Sequence, residues 1–261
     1  MLYENVKKTT VEMLQPIAQK LVESTDEELL KEITSQWTME KKVIRVIKEI
    51  LLYMDKNFAK KARNLMNVQD MQTSQFKKHV VLKEQIKHRL ISLLLSEIER
   101  ERNGETIERI YVQKVIEMLI EVGMSSKKIY EQEFETLLIT KTREYYRAES
   151  NSYIAHHSSN DFLVKANQRL CAEQERIMTY LHPTSHDKVL NEFLREYISA
   201  HAGTLLTMEN SGLLAMLKED KFHDIKLMYC LFRRCPEALN DLKNELKSYI
   251  IGEGLKLVTN D

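Results

Sequence analysis

The chain has 261 residues, and its 39 Lys plus Arg balance its 39 Asp plus Glu, so it exerts no net pull on nucleic acid or on an anionic membrane. Six glycines and three prolines leave few interruptions, which implies long helices in one large domain or two small ones. The start, Met1 to Lys8, has an acid at Glu4 and no apolar core, so it is not a secretory signal. No run approaches the ~18 apolar residues that span a bilayer. Three cysteines without framework spacing fit a reducing compartment, the cytosol or nucleus.

In chain order the pattern predicts about ten helices and no strand. The first covers Tyr3 to Glu23. Ser24 and Thr25, followed by Glu27 and Glu28, form a capping-box signature that starts a second helix near Asp26. From Thr38 to Phe58 the apolar residues Val43, Val46, Ile47, Ile50 and Met54 recur at helical spacing, which predicts that they are buried together. Trp37 reads as a packing anchor. After a polar stretch with Asn64 and Asn67, the residues Ile86, Leu90, Leu93, Leu94 and Ile98 mark a helix closed by Gly104. Arg109 to Val122 follows, with Val115, Leu119 and Val122 inward and Gly123 as its stop. Ser126 caps the helix that carries Phe134, Leu138 and Tyr145.

A polar break at His156 to Asn160 separates that helix from one whose seam is Leu163, Ala166, Leu170, Ile177 and Leu181, ended by Pro183. The next carries Val189, Leu190, Phe193, Leu194, Tyr197 and Ile198, with Ser185 as its cap. Short pieces around Leu213 and from Lys221 to Phe232 precede a last helix after Pro236, aligned on Leu239, Leu242, Leu246 and Ile250. None is apolar all round, so layered helix pairs fit better than a closed bundle.

No phosphate-binding loop, dinucleotide fingerprint, zincin motif or nucleophile elbow is present. The enzymatic alternative is a helical metal-dependent phosphohydrolase of the HD type, using His186-Asp187 or His223-Asp224 with His156, His157 or His201. The simpler reading places both pairs in the first turns of helices, where an acid suits the dipole. Cys230 and Cys235 have no second pair and read as small buried hydrophobes rather than zinc ligands. The basic run Lys60-Lys61-Ala62-Arg63 reads as a solvated helix end. Tyr145, Tyr146, Tyr153 and Phe162 read as core. No cofactor and no metal are expected.

One series of residues is more specific than its composition. Tyr145, Tyr146, Glu149 and Ser150 precede the polar break, and Asp161, Leu163, Lys165, Arg169, Leu170, Glu175, Arg176, Tyr180 and Leu181 follow it. On either side lie Leu2-Tyr3, Trp37, Ile50 to Asp55, Glu101 to Glu105 with Arg109, His201, Met208 to Leu213, Asp224 to Arg234, and Gly254 to Val258. In this order they resemble the N-terminal region of the cullins, the scaffold subunits of multi-subunit ubiquitin ligases. Tyr53-Met54-Asp55 and Met208 to Gly212 are most similar to the cullin 3 branch, whose members take BTB-domain adaptors.

The resemblance implies an all-α, elongated stack of five-helix repeats: the end of repeat one (1–63), all of repeat two (64–184) and the first part of repeat three (185–261). It implies a non-catalytic scaffold in ubiquitin-dependent degradation, with a BTB-domain adaptor bound through Tyr53, Lys56 and Leu52. The first adaptor-docking helix and the N-terminal extension have no counterpart here, and neither does the region that binds the RING subunit and is modified by NEDD8. No RING subunit, nucleic acid or membrane partner is therefore expected. A helical tether unrelated to ubiquitin is the other alternative, and it would not share this ordered series.

Overall fold

The computed structural model describes residues 2–56 and 65–259, and every described element is helical. The chain forms two compact units, Met1–Thr136 and Leu137–Asp261. None of the described helices is long and apolar enough to cross a membrane.

In the first unit, α1 (Leu2–Glu23) is followed by α2 (Asp26–Ile50), a short α3 (Leu52–Met54) and α4 (Val68–Phe76). A π-helical turn, Lys77–Val81, leads to α5 (Glu84–Arg102) and α6 (Arg109–Glu121), and a second, Tyr130–Glu135, precedes the next unit. The long helix α2 packs against α1, α4, α5 and α6. Its inward stripe, Leu29, Ile33, Trp37 and Ile44, joins Leu14, Leu21, Phe76, Leu90, Leu94, Val115 and Leu119 in the interior. Each full burial of such a side chain contributes about 1.5–3 kcal/mol. Trp37 anchors this core, its ring 4.9 Å from that of Phe76.

The turn between α1 and α2 is closed differently from the predicted capping box. Thr25 is the N-cap residue but its side chain bonds no backbone amide. Its hydroxyl instead donates to the Glu28 carboxylate at 3.0 Å. Arg89 on α5 then ties down the turn, donating to the carbonyl of Val22 at 3.1 Å and to the carboxylate of Asp26 at 2.6 Å. Gly104 closes α5 as expected, with a φ of +92° that a side chain would strain. Helix α6 ends at Glu121 with Val122 as its cap, so Gly123 is its stop as expected, and the left-handed residue follows at Met124 (φ 57°).

The second unit begins at the second residue of α7 (Thr136–Ile154) and continues with α8 (Ser159–Tyr180), α9 (Pro183–Tyr197), a 3₁₀ turn (Ser199–His201), α10 (Ala202–Thr207), α11 (Leu213–Lys218), α12 (Phe222–Phe232) and α13 (Pro236–Thr259). Ser158 caps α8, accepting from the amide of Asp161 at 3.2 Å. The cap of α9 is His182, whose Nδ1 accepts from the Thr184 amide at 3.2 Å, and not Ser185, which is fully buried. Pro183, at the first helical position, needs no donor there. The core gathers Tyr146, Phe162, Leu163, Leu170, Phe193, Tyr197, Leu213, Met228, Phe232 and Leu242. Tyr146 and Phe162 are core as read, with Tyr145 and Tyr153 packed against them. Ile250, aligned by sequence with Leu242, is exposed instead, because the inward contacts of α13 fall in its first half.

Candidate interaction surface

The candidate site grows out of the far end of α2. Beyond Ile44 no residue of that helix is buried: Val46 is 56% exposed and Ile50 72%. The buried stripe predicted from Val43 to Met54 is therefore corrected for these two. Val46 follows Trp37 by nine residues, about two and a half helical turns, so it faces the opposite side. The helix thus carries two apolar stripes, and the neighbours α4 and α6 cover the one centred on Trp37. Periodicity alone cannot say which stripe is covered. The longer stripe Leu29-Ile33-Trp37-Ile44 is equally visible in the sequence, but it does not say which of the two the neighbours cover.

At Leu51 the helix leaves the α conformation (φ −96°, ψ 14°), and the chain makes the short turn α3. Asp55 behind it is buried, and its Oδ1 accepts the amide of Val68, the first residue of α4, at 2.9 Å. This bond joins the two edges of the segment 56–67. Tyr3 adds a second tie, donating its hydroxyl to the Met66 carbonyl at 3.1 Å. Burial, then Glu4 and Asp55, push the Tyr3 phenol above its ordinary range, so it stays a neutral donor.

With Asp55 turned inward, Tyr53 is left 80% exposed, beside Leu52 at 36% and an exposed Lys56. Residues Tyr53, Leu52 and Lys56 thus share one outward corner with the end of the Val46–Ile50 stripe. The side chain of Met54, the end of the predicted Thr38–Phe58 helix, and Asn64 and the run Lys60 to Arg63 lie outside the described residues. The exposed Val46 and Ile50 are the members of this surface that sequence reading missed.

The polar series that flanks the break in the second unit has a different role. Tyr146 donates to Glu173 at 2.5 Å, and Arg176 donates to the same carboxylate at 3.0 Å, all three buried. Arg169 donates to Glu149 at 2.8 Å. Ser150 donates to the Glu196 carbonyl at 3.0 Å and receives His201 Nε2 at 2.9 Å. Ser211 accepts the Ser159 amide at 3.0 Å. A Cβ on Gly212 would sit 2.5 Å from the Leu206 carbonyl, so that turn admits only glycine. These residues brace the interior, where an unpaired polar group would cost about 1–3 kcal/mol.

Of the two histidine pairs, Asp224 lies in the first turn of α12 as the dipole argument expected, whereas α9 starts at Pro183 and has no acid in its first turn, Asp187 being its fifth residue. His186 lies against the Leu181 carbonyl at 3.2 Å, and Asp224 receives the Asn160 amide at 2.6 Å. Among the described residues no three His, Cys, Asp or Glu side chains gather to hold a metal ion. Cys235 is buried beside the Leu194 carbonyl, and burial pushes its thiol up, whereas Cys230 is half-buried.

An all-helical fold of packed helices with a braced interior is of the α-solenoid class. The cullin α-solenoid domain model matches residues 1–261. The chain belongs to the cullin family. It is 40% identical to Cullin-3 of Dictyostelium discoideum, over 98% of this chain and 33% of that protein. It is 31% identical to Cullin-3B of Arabidopsis thaliana, over 99% of this chain and 35% of that protein. A shorter relative, Putative cullin-like protein 2 of Arabidopsis thaliana, is 26% identical over 98% of this chain and 69% of its own length. The chain thus spans about a third of the two cullin-3 relatives.

Proposed function

We propose that this chain is a non-catalytic scaffold segment of a cullin-RING E3 ubiquitin ligase, and that the corner at the end of α2 docks a BTB-domain substrate adaptor. The observation that carries this reading is the outward Tyr53, held by the inward Asp55 and continuous with the exposed Val46 and Ile50. A tyrosine suits such a hot spot because it offers large area with few rotors and a hydroxyl that can be satisfied at the rim. Lys56 and Leu52 extend the same contact. The repeat limits 1–63, 64–184 and 185–261 belong to this proposal, as does a cytosolic or nuclear location.

Titration of the chain against a panel of BTB-domain adaptors tests it. Binding to at least one adaptor is expected, weakened by Tyr53→Ala and by Ile50→Asp by about 2 kcal/mol each, roughly thirtyfold. Binding that ignores both substitutions, or no binding to any adaptor, would overturn the assignment.

A further inference from the structure

The other side of α2 carries a groove that the adaptor reading does not use. It lies where α2 packs on α4 and α6, encloses about 530 Å³, and has Trp37 and Ile44 in its lining. Lys41, Arg45 and Lys48 run along one edge at steps of four and three residues, a row on a single helical face. Arg45 makes no ion pair among the described residues, and the Lys48 ammonium donates only to the neutral amide of Gln69, at 2.9 Å. Lys41 is shared with Glu121 at 2.9 Å, and the same carboxylate accepts the Trp37 indole at 2.5 Å. Facing the row, Thr73 is only 7% exposed, and its side chain has no hydrogen-bond partner among the described residues.

We propose that this groove binds an acidic protein segment through successive carboxylates. The chemistry that fits follows from spacing. From Lys41 to Lys48 the row spans about 10 Å, so the charges form a line rather than a converging cage, which suits a chain of acids better than one small anion. Glu49 and Glu121 interrupt the positive edge, and the whole chain is electrically balanced, which disfavours a uniformly charged phosphate backbone. Arg45 supplies a planar fork for one carboxylate, Lys48 a point charge for the next, and the Thr73 hydroxyl a further donor on the groove wall. A third acid competes with Glu121 for Lys41, and that exchange changes the field at the indole.

Trp37 is the sole tryptophan of the chain, so its emission reads the groove directly. The probe is an acetylated, amidated hexaglutamate peptide titrated into the full chain at about 150 mM salt, where long-range attraction is screened. Inorganic phosphate and hexaglutamine run in parallel. A saturable emission change is expected with hexaglutamate alone. The double variant Arg45→Glu/Lys48→Glu, with unchanged circular dichroism, is expected to weaken it by about a hundredfold. Ile50→Asp, on the opposite stripe, is expected to leave it intact, which separates this groove from the adaptor corner. No saturable change, an equal response to phosphate, or a response that survives the double variant would each overturn the proposal.

Discussion

The two units put their most distinctive polar residues to opposite uses. In Leu137–Asp261 they point inward and are satisfied: Tyr146, Glu173 and Arg176 form a buried triad, and Ser150 links Glu196 to His201. In Met1–Thr136 the Tyr53-Met54-Asp55 motif splits its roles, with the aspartate buried as a latch and the tyrosine displayed. A recognisable residue therefore has two physical meanings. A satisfied buried group specifies a fold, because leaving it unpaired is costly, whereas an exposed aromatic beside bare aliphatics has surface to offer a partner.

The strongest way to break this contrast is at Glu173. Glu173→Ala leaves the Arg176 charge and the Tyr146 hydroxyl buried without their acceptor, and a loss of about 3–5 kcal/mol is expected in urea unfolding of the full chain. A loss below about 1 kcal/mol would mean that the triad is not the brace described. Next comes the latch. Asp55→Ala is expected to cost about 1–3 kcal/mol and to speed hydrogen exchange at the Val68 amide, while adaptor binding falls with Tyr53 still present. Unaltered exchange at Val68 would remove Asp55 from that role.

Two titrations sharpen the comparison further. Glu40, buried on α2, has its carboxyl pushed up by burial alone. Its folded form holds the proton more tightly than the unfolded chain, so stability falls as pH rises through and above about 4.5. Glu40→Gln is accordingly expected to stabilise the chain by about 1 kcal/mol at neutral pH and to change little at pH 4. A destabilised variant at neutral pH would contradict this.

His201 in the second unit works in the other sense. Burial lowers its ring below the ordinary value, against a smaller upward pull from Glu196. The unfolded chain then takes the proton first, so stability is lost as pH falls below about 6.5. The urea midpoint is expected to drop slightly between about pH 7.5 and 5.5, and His201→Gln to flatten that slope. An equal slope in the variant would assign the effect elsewhere.

Most of the helices were legible from spacing, because a helix with one covered side must repeat its apolar residues every three or four positions. The seams of α5, α6 and α8, and the core placement of Tyr146 and Phe162, follow from that rule. Gly104 was legible because a positive φ leaves few alternatives to glycine. The second stripe on α2 was not legible: Val46 and Ile50 keep perfect helical spacing, and only the positions of α4 and α6 decide that Trp37 and Ile44 are the covered side. Caps behaved likewise, with His182 displacing Ser185 and Arg89 holding the α1–α2 turn from a distant helix.

Sequence by itself determined the helical class, the elements and the ordered series that marks the cullin family, since these depend on local period and residue identity. Tertiary structure alone decided which faces are bare, that Asp55 turns in while Tyr53 turns out, and that Lys41, Arg45 and Lys48 border a groove lined by Trp37 and Thr73. The physical reason is that exposure belongs to a helix and its neighbours together, and a one-dimensional pattern does not encode which neighbour arrives.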